Sequence, residues 1–166
     1  MTAQISEKII YEDERHAMCT NPLDEFLSLA NLDIEFQSNS TALWRGYVGT
    51  WEIKGDRLYL IELSGSLKNG SKAALETIFP GFPDRVFAHW FTGEIRLPQG
   101  KMLNYVHMGY GSTYERDLLL KIEGGMVVGS TVRVNGFSED PNAKEGYEIG
   151  VMTVFGTDKK DRKSVV

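Results

Sequence analysis

The sequence predicts a mainly β fold of the β-rich α+β class, an antiparallel barrel or sandwich of about seven to nine strands with two short helices. Apolar and polar residues alternate with a period of two over residues 43–53 and 86–97, as in strands that bury one face. Residues typical of turns, including many of the 17 glycines, separate these segments at intervals of about the length of one strand. Only two short stretches have the spacing of a helix.

The chain of 166 residues has the usual length of one domain with one core. We expect a single β-rich domain over residues 1–155. Residues 156–166 are rich in lysine, arginine and aspartate and have no apolar period. We therefore expect a flexible tail there.

The N-terminal part predicts a hairpin followed by a helix. Residues 9–11 and 15–18 are strand-like and flank the charged tip Glu12-Asp13-Glu14. In the helix that follows, Asn21 can cap and Pro22 suits the first position. Its apolar side chains at three-and-four spacing are Leu23, Phe26, Leu27 and Ala30.

The clearest hairpin is predicted over residues 43–63, with its turn at Lys54-Gly55-Asp56. A polar loop over 64–70 follows, and Ser71 can cap a second short helix that Pro80 and Gly81 end.

The C-terminal half predicts a series of strands over 86–97, 103–114, 117–122, 126–134 and 147–155. Pro98-Gln99-Gly100 ends the first of them, and Glu123-Gly124-Gly125 joins the third and fourth as a tight hairpin. Residues 136–146 read as a polar loop.

Charge and cysteine content narrow the functional classes. A formal net charge of −5 without a basic cluster argues against nucleic-acid binding, which depends on grouped lysine and arginine. Cys19 is the only cysteine, so no disulfide framework can form. No stretch is apolar enough to cross a membrane, and we expect a cytoplasmic protein.

Three histidines are present, but no two have the spacing of metal ligands, so no metal and no cofactor are expected. Gly-x-Ser-x-Gly and phosphate-loop motifs are also missing. His89, Glu94 and His107 are the remaining candidates for catalysis, because acid–base chemistry needs a carboxylate and an imidazole within reach of each other.

Aromatic and arginine side chains are frequent on the predicted strands. Trp44 and Trp51 fall on opposite faces of one strand, so one interior cannot hold both. An exposed group of this composition is typical of a binding hot spot. The candidate ligand- or partner-binding residues are Trp44, Arg45, Tyr47, Trp51, Trp90, Arg96, Tyr105 and Tyr110.

Two resemblances follow from short runs of sequence. Gly49-Thr50-Trp51 resembles the Gly-x-Trp element of lipocalins, which implies a β-barrel that holds a small apolar ligand. The runs LWRGYVGTWEI, TGEIRLPQG and VHMGYGSTYE, within residues 41–120, resemble a group of uncharacterised bacterial proteins, and this likeness implies no activity.

Three functions stay open on the sequence. The first is a non-enzymatic protein-binding module of the bacterial cytoplasm, similar to an immunity protein or antitoxin. The second is a lipocalin-like barrel for a small apolar or aromatic ligand. The third is a hydrolase-type enzyme that uses His89, Glu94 and His107. The sequence leaves the oligomeric state open.

Overall fold

The structure, a computed structural model, describes residues 3–147. Within that range the chain forms nine strands and two short helices. In chain order the elements are β1 Glu7–Tyr11, β2 Glu14–Met18, α1 Pro22–Ala30, β3 Tyr47–Lys54, β4 Arg57–Ser66, β5 Lys72–Ala73, α2 Leu75–Ile78, β6 Val86–Phe87, β7 Gly93–Asn104, β8 Thr113–Glu123 and β9 Met126–Val134. The predicted β-rich class is confirmed.

The strands form one mixed sheet in the order β2-β1-β3-β4-β9-β8-β7, with β5 and β6 paired to β4. β1 lies parallel to β3, so the expectation of a purely antiparallel sheet is wrong at this pair. β2 and β7, the two ends of this order, come close to each other, because the N–H of Cys19, just after β2, donates to the Arg96 carbonyl of β7 over 2.9 Å. The two strands do not pair, so the sheet is not closed. The fold is sandwich-like, and the barrel alternative is wrong.

The main core takes apolar side chains from almost every strand and from both helices. Its largest fully buried side chains are Trp51, Tyr47, Ile9, Met18, Leu23, Leu58, Leu60, Ile95, Leu97, Leu120 and Ile122. A second, smaller cluster holds Ala3, Cys19, Tyr114 and Tyr147. No helix within residues 3–147 has both the length and the apolar character needed to cross a membrane.

Three predicted hairpins are confirmed, and residues with positive φ sit at each tip. Glu12 and Asp13 join β1 to β2 with φ of 51° and 65°, and a turn through Gly55 joins β3 to β4. Gly124 and Gly125 join β8 to β9 with φ of 52° and 81°. Positive φ costs little in glycine and is tolerated in aspartate, whereas glutamate, the residue type at position 12, adopts it rarely.

The first helix is confirmed, but its predicted cap is not. Asn21 makes no side-chain capping bond to α1. Its Oδ1 instead accepts a hydrogen bond from the Tyr110 hydroxyl, 2.7 Å away. The second helix starts later than predicted, at Leu75, and the Ala74 N–H donates to Thr77 Oγ1 in place of a cap from Ser71.

Several predicted boundaries in the middle of the chain are wrong. β3 begins at Tyr47 rather than residue 43, because Gly46 turns the chain with φ of +79°. β4 continues to Ser66, into the predicted loop. The segment 86–97 is not one strand but divides into β6 and β7, with a turn between them.

Pro98-Gln99-Gly100 does not end a strand. β7 runs through it to Asn104, and a bulge between Gln99 and Met102 accommodates the positive φ of Gly100. The predicted strand over 103–114 is mostly a loop, which spans residues 105–112 before β8 begins. The predicted strand over 147–155 and the tail over 156–166 lie outside the described residues, apart from Tyr147.

Candidate functional site

Glu7 lies fully buried at the start of β1 and accepts three hydrogen bonds. Its Oε2 accepts from Arg45 Nη2 and from the Gly49 N–H, both over 2.7 Å. Its Oε1 accepts from the Trp51 indole N–H over 3.0 Å. Burial raises the pKa of the Glu7 carboxyl, whereas the Arg45 guanidinium and the two N–H donors oppose that rise.

The parallel pairing of β1 with β3 creates this cluster. In register, Lys8 lies opposite Thr50 and Ile9 opposite Trp51, which brings Glu7 beside Gly49. A Cβ on Gly49 would lie 2.6 Å from Glu7 Oε1, so only glycine leaves room for the carboxylate. Arg45 and Trp51, two of the predicted binding residues, therefore belong to the interior.

Tyr47 and Tyr110 also use their hydroxyl groups in hydrogen bonds within the protein. The Tyr47 hydroxyl donates to the Asp24 carboxylate in a short hydrogen bond. Burial raises the pKa of both phenols, so both remain protonated donors at neutral pH. These two predicted binding residues connect β3 and the 105–112 loop to the first helix.

Arg96 on β7 makes hydrogen bonds with each of its three guanidinium nitrogens. Nε donates to Asp117 Oδ1 over 2.8 Å, and the other two nitrogens donate to the backbone carbonyls of Tyr110 and Ser112. Asp117 is buried and also accepts from Arg133 Nη2 over 2.7 Å. Arg96 thus fixes the 105–112 loop against the sheet.

Cys19 belongs to the smaller cluster, beside Tyr114 and Tyr147. Burial raises the pKa of its thiol to about 12. A thiol with this pKa is protonated at neutral pH and forms little thiolate, the form of cysteine that reacts as a nucleophile.

Trp90 is half buried and serves to attach α1. Its indole N–H donates to the Pro22 carbonyl over 2.8 Å. Its ring stacks on Phe79 at a centroid distance of 5.6 Å and contacts Phe26 at 4.9 Å.

Trp44 and Tyr105 are the two predicted binding residues that remain exposed, at 53% and 42%. Met108, which the sequence analysis did not single out, is exposed at 58%. We call Trp44, Tyr105 and Met108 the loop surface. Met108 could have been noticed as an apolar residue beside Gly109 and Gly111, in a run typical of a loop.

The loop surface is held together by the extended residues Ala3, Gln4 and Ile5. The Gln4 N–H donates to the Gly109 carbonyl over 2.9 Å, and the Ile5 N–H donates to the Ala42 carbonyl over 2.8 Å. Successive N–H groups of an extended chain point to opposite sides, so the two loops lie on either side of this segment. Gln4 Oε1 also accepts from the Trp44 N–H over 2.8 Å.

The structure does not bring the three candidate catalytic residues together. His89 is exposed and its ring contacts Phe87 and Trp90. Glu94 is exposed near the first residue of β7, whereas His107 lies beyond its last residue and packs on Tyr105. Within residues 3–147 no hydrogen bond or ion pair joins any two of these side chains.

Glu7 and Asp117, two buried carboxylates that each accept several hydrogen bonds, were not among the residues predicted from the sequence. Glu7 shares its strand face with Ile9 and Tyr11, which was a signal that it points inward. Nothing in the local sequence identified Arg45 as its partner.

Comparison with known proteins gives no family for this chain, because no family model, no curated protein and no solved structure matches it. In the part of the chain that the structure describes, no three His, Cys, Asp or Glu side chains form a group that could hold a metal ion.

Proposed function

We propose that this protein is a non-enzymatic protein-binding module and that its partner docks on the loop surface. The observation that carries the proposal is the exposure of Trp44, Tyr105 and Met108 on two loops joined by residues 3–5. Aromatic residues and methionine are enriched at the centres of protein interfaces, and tryptophan and tyrosine often supply most of the binding energy.

The two loops are attached firmly enough to present these side chains without a large loss of entropy on binding. Ala42, Trp44 and Gly109 are each hydrogen-bonded to residues 4 or 5. The Tyr110 hydroxyl further attaches its loop to Asn21 at the start of α1. A preorganised surface of this kind costs less to order than a mobile one.

The interior supports this proposal over a lipocalin-like barrel. The sheet is open, and the tryptophan of the Gly49-Thr50-Trp51 element is fully buried with its indole N–H bonded to Glu7. Tyr47 and Tyr110 also use their hydroxyl groups within the protein.

The net charge of −5 favours a basic partner, because opposite charge accelerates association and disfavours acidic competitors. An immunity or antitoxin-like role, in which the partner is a basic toxin, is the form of the proposal that this charge supports.

The test is a pull-down from the native host with the tagged full-length chain, followed by mass spectrometry and by calorimetry with the partner so identified. We expect Trp44→Ser to weaken binding about tenfold or more, as truncation of a hot-spot residue does. Phe82→Ser removes an equally exposed aromatic ring from the segment after α2 and should bind as the wild type does. The proposal fails if no specific partner is captured, or if Trp44→Ser binds its partner unchanged.

A further inference from the structure

The loop surface is built from three segments that carry no acidic residue, no lysine and no arginine. Residues 3–6, 38–44 and 105–112 contain none of these four residue types, although they make up 25% of the chain. The segments are joined because the N–H groups of residues 4 and 5 donate to the third and second segments. We call the three segments together the neutral patch. Apart from tyrosine, its one titratable side chain is His107.

The charged residues that border the neutral patch are bound inside the protein. Glu7 follows the first segment and Arg45 follows the second, and their side chains are 0% and 8% exposed. They pair with each other over 2.7 Å. Arg96 contacts the third segment, where it donates to two backbone carbonyls, and it also donates to the Asp117 carboxylate. A charged side chain of a partner would therefore meet no counter-charge within the patch.

The neutral patch offers aromatic, thioether and small polar groups instead. Trp44, Tyr105 and Met108 are exposed, and serine, threonine, asparagine and glycine recur around them. Antibody recognition loops have a similar composition, in which tyrosine and tryptophan supply rigid contact area and the small polar residues supply adaptable hydrogen bonds. The centres of protein interfaces are likewise depleted in charged residues.

We infer that the partner contacts the neutral patch with uncharged residues, apolar at the centre and hydrogen-bonding around it. This inference rests on the proposed function, in which a protein docks on the loop surface. A lysine, arginine or carboxylate of the partner buried here would lose its water without gaining an ion pair, which weakens binding. The patch thus selects a partner by the absence of charge at the contact.

The net charge of −5 acts on this partner at a distance. It attracts a basic protein during the approach and so raises the association rate, but salt screens attraction between separated charges. The contacts at the neutral patch are not ionic, so salt does not screen them. We therefore expect added salt to slow association and to leave the dissociation rate unchanged.

The end of the chain is a poor occupant for the neutral patch. Residues 156–166 are mostly charged and include Asp158, Lys159, Lys160, Asp161, Arg162 and Lys163. Burial of these side chains against the patch would leave their charges without partners there. A separate protein with an uncharged contact surface fits better.

The test adds one carboxylate inside the neutral patch and one outside it. Ser40 Oγ accepts from the Ala42 N–H over 3.1 Å, and an aspartate can accept the same bond, so Ser40→Asp adds a charge and keeps the turn. Ser130→Asp adds the same charge at an exposed position of β9, opposite Leu120, and is the matched control.

The measurement is surface plasmon resonance of the full-length chain with the partner captured in the pull-down, over a range of salt concentrations. It is made at about pH 8, where histidine is neutral. We expect Ser40→Asp to raise the dissociation constant about tenfold or more. Ser130→Asp should bind as the wild type does, because its charge lies outside the contact.

Tighter binding by Ser40→Asp would overturn the inference, because the partner would then meet the patch with basic residues. Equal effects of the two changes, or a dissociation rate that rises with salt, would overturn it as well. A lower urea midpoint of the free chain for Ser40→Asp alone would show that residues after 147 cover the patch, which also excludes it. If Trp44→Ser still loses binding in these cases, the proposed function stands and only the chemistry of the partner is wrong.

Discussion

Glu7 shows how one buried side chain can fix the pairing of two strands. Its carboxylate has no exposed surface and accepts bonds from Arg45, the Gly49 backbone and Trp51, all on or next to β3. A shift of β1 by one residue would point Glu7 to the other face and leave Arg45 buried without its counter-charge. The cluster therefore specifies the register of the parallel pair.

Glu7→Gln tests this residue-scale role. The substitution keeps the size of the side chain but leaves the Arg45 guanidinium buried without a negative partner. We expect the free energy of unfolding to fall by about 3 kcal/mol or more, measured by urea denaturation at pH 7. Glu62→Gln makes the same chemical change at an exposed position on β4 and should stay within about 0.5 kcal/mol of the wild type. Equal effects of the two changes would contradict a special role for Glu7.

The turn of the β8–β9 hairpin fits closely against the rest of the molecule. Gly125 has φ of +81°, and a Cβ there would lie 2.7 Å from the Ala88 carbonyl oxygen. The Gly125 N–H donates to the Phe91 carbonyl, and the Gly125 carbonyl accepts from the Leu58 N–H. The turn thus links the hairpin to β4 and to the segment before β7.

Gly125→Ala should destabilise the protein by about 2 kcal/mol, because the added methyl group meets backbone atoms and the residue keeps a left-handed conformation. Gly129 in β9 has open space around it, so Gly129→Ala is the matched control on the same hairpin. We expect its free energy of unfolding to stay level or to rise by about 0.5 kcal/mol. Thermal and urea denaturation of both variants would measure the difference, and a similar loss in both would refute the steric explanation.

At the scale of the whole molecule, Asp117 connects the last three strands of the sheet. Its two carboxylate oxygens accept bonds from Arg96 on β7, Arg133 on β9 and the side chain of Asn135. Burial alone would raise the pKa of Asp117, but the bonds from Asn135, Arg133 and Arg96 outweigh it and hold the pKa below its usual value.

This lowered pKa predicts a specific acid response. A carboxyl whose pKa is lower in the folded chain binds fewer protons there than in the unfolded chain. Its contribution to stability is therefore present above the unfolded pKa of about 3.9 and is lost as the pH falls through the lower folded pKa.

We expect Asp117→Asn to lose about 2 kcal/mol of stability at pH 7, since it replaces charged hydrogen bonds with neutral ones. The difference from the wild type should begin to shrink below about pH 4, where the Asp117 carboxyl of the unfolded chain takes up its proton, and should be lost as the pH falls through the lower folded pKa. Urea denaturation across a pH series measures both effects. A difference that stays constant down to pH 2 would show that the carboxylate charge does not stabilise the fold.

Part of the candidate site could be predicted from the sequence. The sequence predicted that Trp44 and Trp51 could not both lie in the interior, and the structure leaves Trp44 exposed and buries Trp51. The reason differs from the predicted one, because Trp44 lies before β3 and not on its opposite face. Nothing in the local sequence predicts that Tyr105 is more exposed than Tyr110, because both lie in one loop. Their environments differ only through contacts with distant segments, such as the bond from Tyr110 to Asn21 across 89 residues.

What the sequence determined by itself is the local structure: the alternating strands, the three hairpins and the helix that begins at Pro22. These depend on neighbouring residues, whose backbone preferences and apolar spacing act within a few positions. Only the tertiary structure decided the parallel pairing of β1 with β3 and the open sheet. Those features depend on segments far apart in the chain, as in the bond between Glu7 and Arg45 across 38 residues. Many pairings of these strands are compatible with the local spacing of apolar residues, and burial of the whole core selects one of them.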